Sequence, residues 1–320
     1  MTERLEYLLG RPWQQITVPP EALGVPTMLS EIERKLLYAL ARDYAADDAA
    51  IVDGGCFLGG SSAALLCGVR DRAEPWTGPP VASYDKFRVE AYTVPQYFGD
   101  DPSVRVGESF RLRYEKNVAG FGVPHTIYEG DIAEIGWPGG PIDVLFLDVA
   151  KSWKINDAIL RDFFGSLVPG RSVVVHQDYG WGCMPWIPIT VELMGPSVRL
   201  IDGMEWGSHV FFVEDDIPRE LIERGIRHLD HGQQLEILDS AIGRLDGWPR
   251  GMIEIGRAIV LAERDGPQAG LADLAAIAEA YARYPYVLAC VSHAEDGLQT
   301  GWDEAAVSLA QRLVASPIDE

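Results

Sequence analysis

The sequence predicts a doubly wound, mostly parallel α/β sheet with an antiparallel edge strand, followed by a helical C-terminal region. Three observations carry that prediction. Short apolar runs alternate with helical stretches between residues 28 and 215, and parallel neighbours require crossovers of that kind. Aspartates stand at or just beyond the ends of the first five runs, at 53, 85, 131, 148 and 178. Beyond Glu214 the texture is helical throughout.

The elements follow in order. Residues 1–27 form an N-terminal arm punctuated by Pro12, Pro19, Pro20 and Pro26. A helix runs from Ser30 to Tyr44, with Ser30 as N-cap and Glu33 three residues on, the spacing of a capping box. The first strand is AAIVDG, and a helix opens near Gly60 with SSAALLCGV. PVASYD is the second strand, SFRLRYEKNVAGF a helix and HTIYEGD the third strand. The fourth, IDVLFLDV, is continuously apolar, as a strand covered on both faces must be. A helix from about Lys154 to Leu167 and the turn PGR lead to the fifth strand, SVVVHQDY. Residues 197–213 read as two antiparallel strands joined by a Gly-containing turn. Five helical segments of the tail are PRELIERGIRHL, GQQLEILDSAIGRL, PRGMIEIGRAIVLAER, GLADLAAIAEAYARY and WDEAAVSLAQRLV. The expected division is therefore an arm (1–27), an α/β domain (28–215) and a helical domain (216–320). The last is open to service as a lid, a dimer interface or structural support.

Composition narrows the function classes. A 320-residue chain with 47% hydrophobic and 23% charged residues can bury a sizeable core. Its formal charge of −21 opposes nucleic-acid binding, which draws on clustered Lys and Arg. No segment is apolar for long enough to span a bilayer, and the start lacks the pattern of a signal peptide. The four cysteines are widely spaced, which suits a reducing, cytoplasmic setting. A small molecule is the expected partner, and a homo-oligomer is left open.

The stretch IVDGGCFLGGSS after the first strand carries the most information. Its glycines do not match the dinucleotide fingerprint G-x-G-x-x-G, yet bare backbone at a helix start offers room for a small anion, and Asp53 offers a partner for an ammonium. A ligand carrying an amino acid moiety suits both. The ordered series of acid-x-Gly-x-x-x-Gly, an acid after the second strand, EGD after the third and LFLD after the fourth resembles the class I S-adenosylmethionine-dependent methyltransferases. Within them it is similar to the small-molecule O-methyltransferases, both the catechol type and the macrolide-sugar and cephalosporin-tailoring type. The resemblance spans about residues 28–213 and implies a Rossmann-like, seven-stranded sheet with an antiparallel last strand.

Residue by residue, the resemblance places Asp53 near the ammonium of S-adenosyl-L-methionine, the backbone of Gly54, Gly55, Phe57 and Gly59 against that cofactor, and Ser61 at its carboxylate. Asp85 would accept the ribose hydroxyls, Asp131 the adenine amino group with Ile132 beside the ring, and Asp148 lies at the same pocket. At the reacting end it implies a metal-binding acid, Asp148, and a lysine three residues later, Lys151, as general base. An acid and an amide, Asp178 and Gln177, follow, in the reverse of the catechol-type order. Two carboxylates and an amide make a hard oxygen site suited to Mg²⁺. His176 is the second candidate base. Trp153, Tyr179, Trp181, Trp186 and Trp206 are candidate substrate walls. The implied activity is O-methylation of a natural product or sugar hydroxyl. A non-catalytic binding or scaffold protein, for which Gln177 argues, and an NAD-dependent oxidoreductase are the alternatives.

Overall fold

The computed structural model describes residues 2–99, 101, 103–204 and 207–315, with backbone alone for 312–315. Seven strands form one sheet: β1 (Ala50–Gly54), β2 (Val81–Asp85), β3 (His125–Glu129), β4 (Ile142–Leu147), β5 (Val173–His176), β6 (Val198–Gly203) and β7 (His209–Val213). Their order is β3-β2-β1-β4-β5-β7-β6. Strands β1 to β5 are mutually parallel, and β7 is antiparallel to both its neighbours. The reversed strand thus lies one in from the edge, and β6, which closes the sheet, runs with the first five. This is the Rossmann-like seven-stranded sheet that the resemblance implies.

Helices α1 (Glu3–Leu9), α2 (Pro20–Leu23), α3 (Glu31–Ala39), α4 (Gly60–Arg70), α5 (Arg111–Val118), α6 (Ile132–Ile135) and α7 (Trp153–Phe163) precede β5. After it come α8 (Trp186–Met194), α9 (Arg219–Arg224), α10 (His231–Ile242), α11 (Gly247–Asp265), α12 (Pro267–Ala280), α13 (Pro285–Thr300) and α14 (Trp302–Ala315). The expected capping box opens α3: the Ser30 N–H donates to Glu33 Oε2 at 2.8 Å, and the Glu33 N–H to Ser30 Oγ. Glu33 is itself buried, and its Oε1 is satisfied by the Ser208 N–H and hydroxyl at 2.9 and 2.8 Å.

Every residue of β1, β4 and β5 is buried, as continuous apolar runs require when helices cover both faces. The chain divides into two compact units. One comprises residues 1–87, 109–178 and 194–225, which include the sheet and α9; the other comprises residues 88–108, 179–193 and 226–320. The last crossing from one unit to the other follows Gly225. The arm is not a free extension within the first unit, since Leu5, Leu8, Trp13 and Val18 are buried. No helix among the described residues is long and apolar enough to cross a membrane.

Short helices α1, α2 and α6 and two longer ones, α8 and α13, escape the sequence reading. In α8, Ile187, Ile189, Thr190 and Val191 imitate a strand. In α13, Pro285 sits at the first turn, where its missing N–H costs nothing, and buried Tyr286, Val287, Cys290, Val291 and Ala294 recur at helical spacing.

Candidate functional site

Because β1 to β5 are parallel, their carboxyl ends share one edge of the sheet. The strand order sets the aspartates along it in the sequence Asp131, Asp85, Asp53, Asp148, Asp178. The direction of winding reverses between β1 and β4, the place where open α/β sheets bind ligands. Asp53 and Asp148 flank that switch point.

Asp53 is fully buried. Its Oδ2 accepts from the hydroxyls of Ser62 at 2.5 Å, Ser61 at 3.1 Å and Ser83 at 3.4 Å. Its Oδ1 is buried and has no hydrogen-bond partner among the described residues. Burial raises the carboxyl from an ordinary 3.8 to about 6, with the nearby Asp85 charge adding and the serine hydroxyls opposing. The network runs deeper. Ser62 Oγ lies 2.9 Å from the Tyr114 hydroxyl and 3.1 Å from Ser83 Oγ, while His125 Nε2 lies 3.1 Å from Tyr114 and 3.0 Å from Ser83. Burial lowers the His125 imidazole to about 4, so it is neutral at pH 7. Ser62, Ser83, Tyr114 and His125 were invisible to motif reading; the signal available was polar residues at positions that strand and helix periods bury.

Asp85 ties two loops together. Its Oδ2 accepts the Phe57 N–H at 2.9 Å and its Oδ1 the Phe87 N–H at 2.6 Å. Phe57 and Phe87 have φ of +44° and +50°, left-handed conformations costly to a bulky residue. Asp131 caps α6 through the Ala133 N–H at 3.0 Å and pairs with Lys86 at 3.4 Å, beside buried Ile132.

The glycines have local reasons. A Cβ on Gly55, at φ +94°, would lie 2.3 Å from the Asp148 carbonyl oxygen, and one on Gly59, at φ +100°, 2.9 Å from Val118 Cγ1. These two positions are therefore occupied by neighbouring protein rather than left as a hollow. Gly54, with ordinary φ, receives the Asp148 N–H on its carbonyl at 2.7 Å. Ser61 gives its hydroxyl proton to Asp53, which differs from the carboxylate role that the resemblance implies.

At the other side of the switch point, Lys151 Nζ lies 2.7 Å from Asp148 Oδ1 and 2.7 Å from each oxygen of Asp178. Its N–H groups are donated there, an arrangement opposite to that of a proton acceptor. Burial raises the Asp148 carboxyl above the usual carboxylate range, with Lys151 opposing and Asp178 adding. Gln177 is half-buried, and His176 is buried in β5 with Nδ1 lacking a hydrogen-bond partner among the described residues. Burial lowers His176 to about 4, which keeps it neutral.

The Mg²⁺ expected on Asp148, Gln177 and Asp178 does not fit this arrangement. The ammonium already lies against the carboxylate oxygens such an ion would use, and among the described residues no group of three His, Cys, Asp or Glu could hold a metal. Of the aromatic residues, Trp153 opens α7 in the first unit, Tyr179, Trp181 and Trp186 belong to the second, and Trp206 lies outside the described residues.

No family model matches the chain, and neither does any curated protein. Solved structures similar to the chain include two of CalS11. One is the crystal structure of CalS11, a calicheamicin methyltransferase, at 16% identity, covering 65% of this chain and 91% of that one with a TM-score of 0.39. The other is the apo structure of CalS11, described as a TDP-rhamnose 3'-O-methyltransferase in calicheamicin biosynthesis, at 17% identity, 65% and 92% coverage and a TM-score of 0.38. Likeness this loose carries no functional weight, which rests on the residues above.

Proposed function

We propose that the chain is an S-adenosylmethionine-dependent O-methyltransferase acting on a hydroxyl of a small molecule such as a natural product or sugar. The observation that carries this reading is Asp53: a buried carboxylate at the switch point, with one oxygen saturated by hydroxyls and the other unmatched. A buried acceptor of that kind costs stability unless a donor arrives, and a cationic donor suits it best. The ammonium of an amino acid moiety is such a donor.

Asp53 would hold the ammonium, Asp85 the ribose hydroxyls, and Asp131 with Ile132 the adenine. Bound there, the donor would supply an electrophilic methyl group on its sulfonium. The chain's own residues then have chiefly to bind and aim, because in-line displacement rewards alignment. Lys151, Asp148 and Asp178 stand at the neighbouring strand ends and would bear on the acceptor.

Thermal-shift measurements with S-adenosylhomocysteine and, separately, NAD test the reading, since a ligand that binds only folded protein raises the melting temperature. A shift with the homocysteine compound is expected. A shift with NAD alone overturns it in favour of an oxidoreductase, and donor binding without turnover on any hydroxylated acceptor leaves a binding protein.

A further inference from the structure

Lys151 belongs to the turn between β4 and α7, and Asp178 lies just past β5. The parallel register that pairs Leu147 with His176 brings the ends of β4 and β5 side by side. Two carboxylates set there repel one another unless a cation lies between them or one of them takes a proton. Lys151 Nζ meets Asp148 Oδ1 and both oxygens of Asp178 at 2.7 Å. The Asp178 side chain is 7% exposed, that of Asp148 21% and that of Lys151 42%, so the lysine reaches in from the open side and its head is fixed by the acids.

A divalent ion of the Mg²⁺ type takes about six oxygens at close to 2.1 Å and sheds its waters reluctantly. The chain presents two carboxylates and one neighbouring amide here, and the carboxylates are already engaged by an ammonium. Adding two positive charges would force Lys151 out against like-charge repulsion. The three side chains together carry a formal charge of about −1, counting Lys151 as +1 and each aspartate as −1.

We propose that the Lys151 ammonium is the built-in substitute for a divalent cation between Asp148 and Asp178, and that the site takes no divalent metal. This rests on the methyl-transfer reading for its purpose, since a fixed positive charge beside the acceptor position would orient a hydroxyl oxygen, but not for its geometry. Lys151 is then a positioning residue: it holds the two acids in register and presents a charge that neither exchanges nor is removed by chelators.

Mn²⁺ titration, followed by the electron paramagnetic resonance of the free ion, tests it with wild type, Lys151→Met, Lys151→Arg and Lys151→Met/Asp178→Asn. Wild type and Lys151→Arg should leave the free-ion signal undiminished. Lys151→Met, which uncovers two carboxylates, should bind Mn²⁺ at least about tenfold more tightly than wild type and gain about 3–5 °C in melting temperature with the ion in tenfold excess over its Kd. The double variant should lose both effects. Stoichiometric Mn²⁺ binding by wild type overturns the proposal and needs no variant to be seen. A folded Lys151→Met that binds none overturns it too, because the acids would not then form a cation site. Calorimetry with S-adenosylhomocysteine on the same samples separates the two proposals: absence of binding there removes the methyl donor and leaves the metal result standing.

Discussion

Two acidic clusters flank the switch point of the sheet, and they are completed differently. Around Asp53 every partner is a neutral hydroxyl, and Oδ1 has no hydrogen-bond partner among the described residues. Around Asp148 and Asp178 the chain supplies its own cation. A buried carboxylate without a cation is held at a cost that a ligand can remove. One whose partner is built in is satisfied before anything binds. The contrast is between a buried acceptor that lacks a donor among the described residues on the β1 side and a self-contained ion cluster on the β4–β5 side.

The largest expected effect tests the first cluster. Asp53→Asn keeps an acceptor for the serines and removes the charge, so affinity for S-adenosylhomocysteine should fall by about 30-fold or more in calorimetry, the worth of about 2 kcal/mol for a charged hydrogen bond. An unchanged affinity would break the comparison at its root.

The same variant should behave oppositely without ligand. The folded Asp53 carboxyl is raised from 3.8 to about 6, so its contribution to stability is whole below about pH 4 and is lost as the pH rises through about 6. Relative to wild type, unliganded Asp53→Asn should therefore gain roughly 2 kcal/mol between pH 4 and pH 7, to be read from denaturation midpoints at the two pH values. Ligand affinity of the wild type should conversely weaken as the pH drops below about 6.

Asp85→Ala should weaken the ligand and also cost about 2 kcal/mol of stability, since it releases two amides held on left-handed phenylalanines. A loss of affinity with no change in the urea midpoint would mean that the loops keep their shape without it. The smallest effect is expected of Tyr114→Phe, which removes one hydroxyl from the network behind Asp53. Affinity should fall about threefold to tenfold, for a hydrogen bond worth about 1 kcal/mol.

Much of the fold was legible because its signals are local. The five strand-and-acid pairs, the capping box at Ser30 and the antiparallel edge pair all follow from residues within a few positions of one another. What escaped reading depended on distant neighbours. Gly55 is required by the Asp148 carbonyl, and Gly59 by Val118. Asp85 reads as a free strand-end acid, yet it anchors Phe57 and Phe87. Lys151 has the spacing of a general base, but Asp178, contributed by the next strand, turns it into a donor. The loss of an expected metal has the same origin, because ligand types can be counted in a sequence while the charge lying between them cannot.

By itself, the order of residues determined the alternation of strands and helices and the acid at each strand end, since hydrophobic period and turn chemistry act over single elements. The tertiary structure decided what each acid faces. Strand order, rather than distance along the chain, brought Ser83, Tyr114 and His125 behind Asp53 and set Lys151 between Asp148 and Asp178. Electrostatic roles follow from those neighbours, because the state of a buried charge depends on the few groups within reach of it.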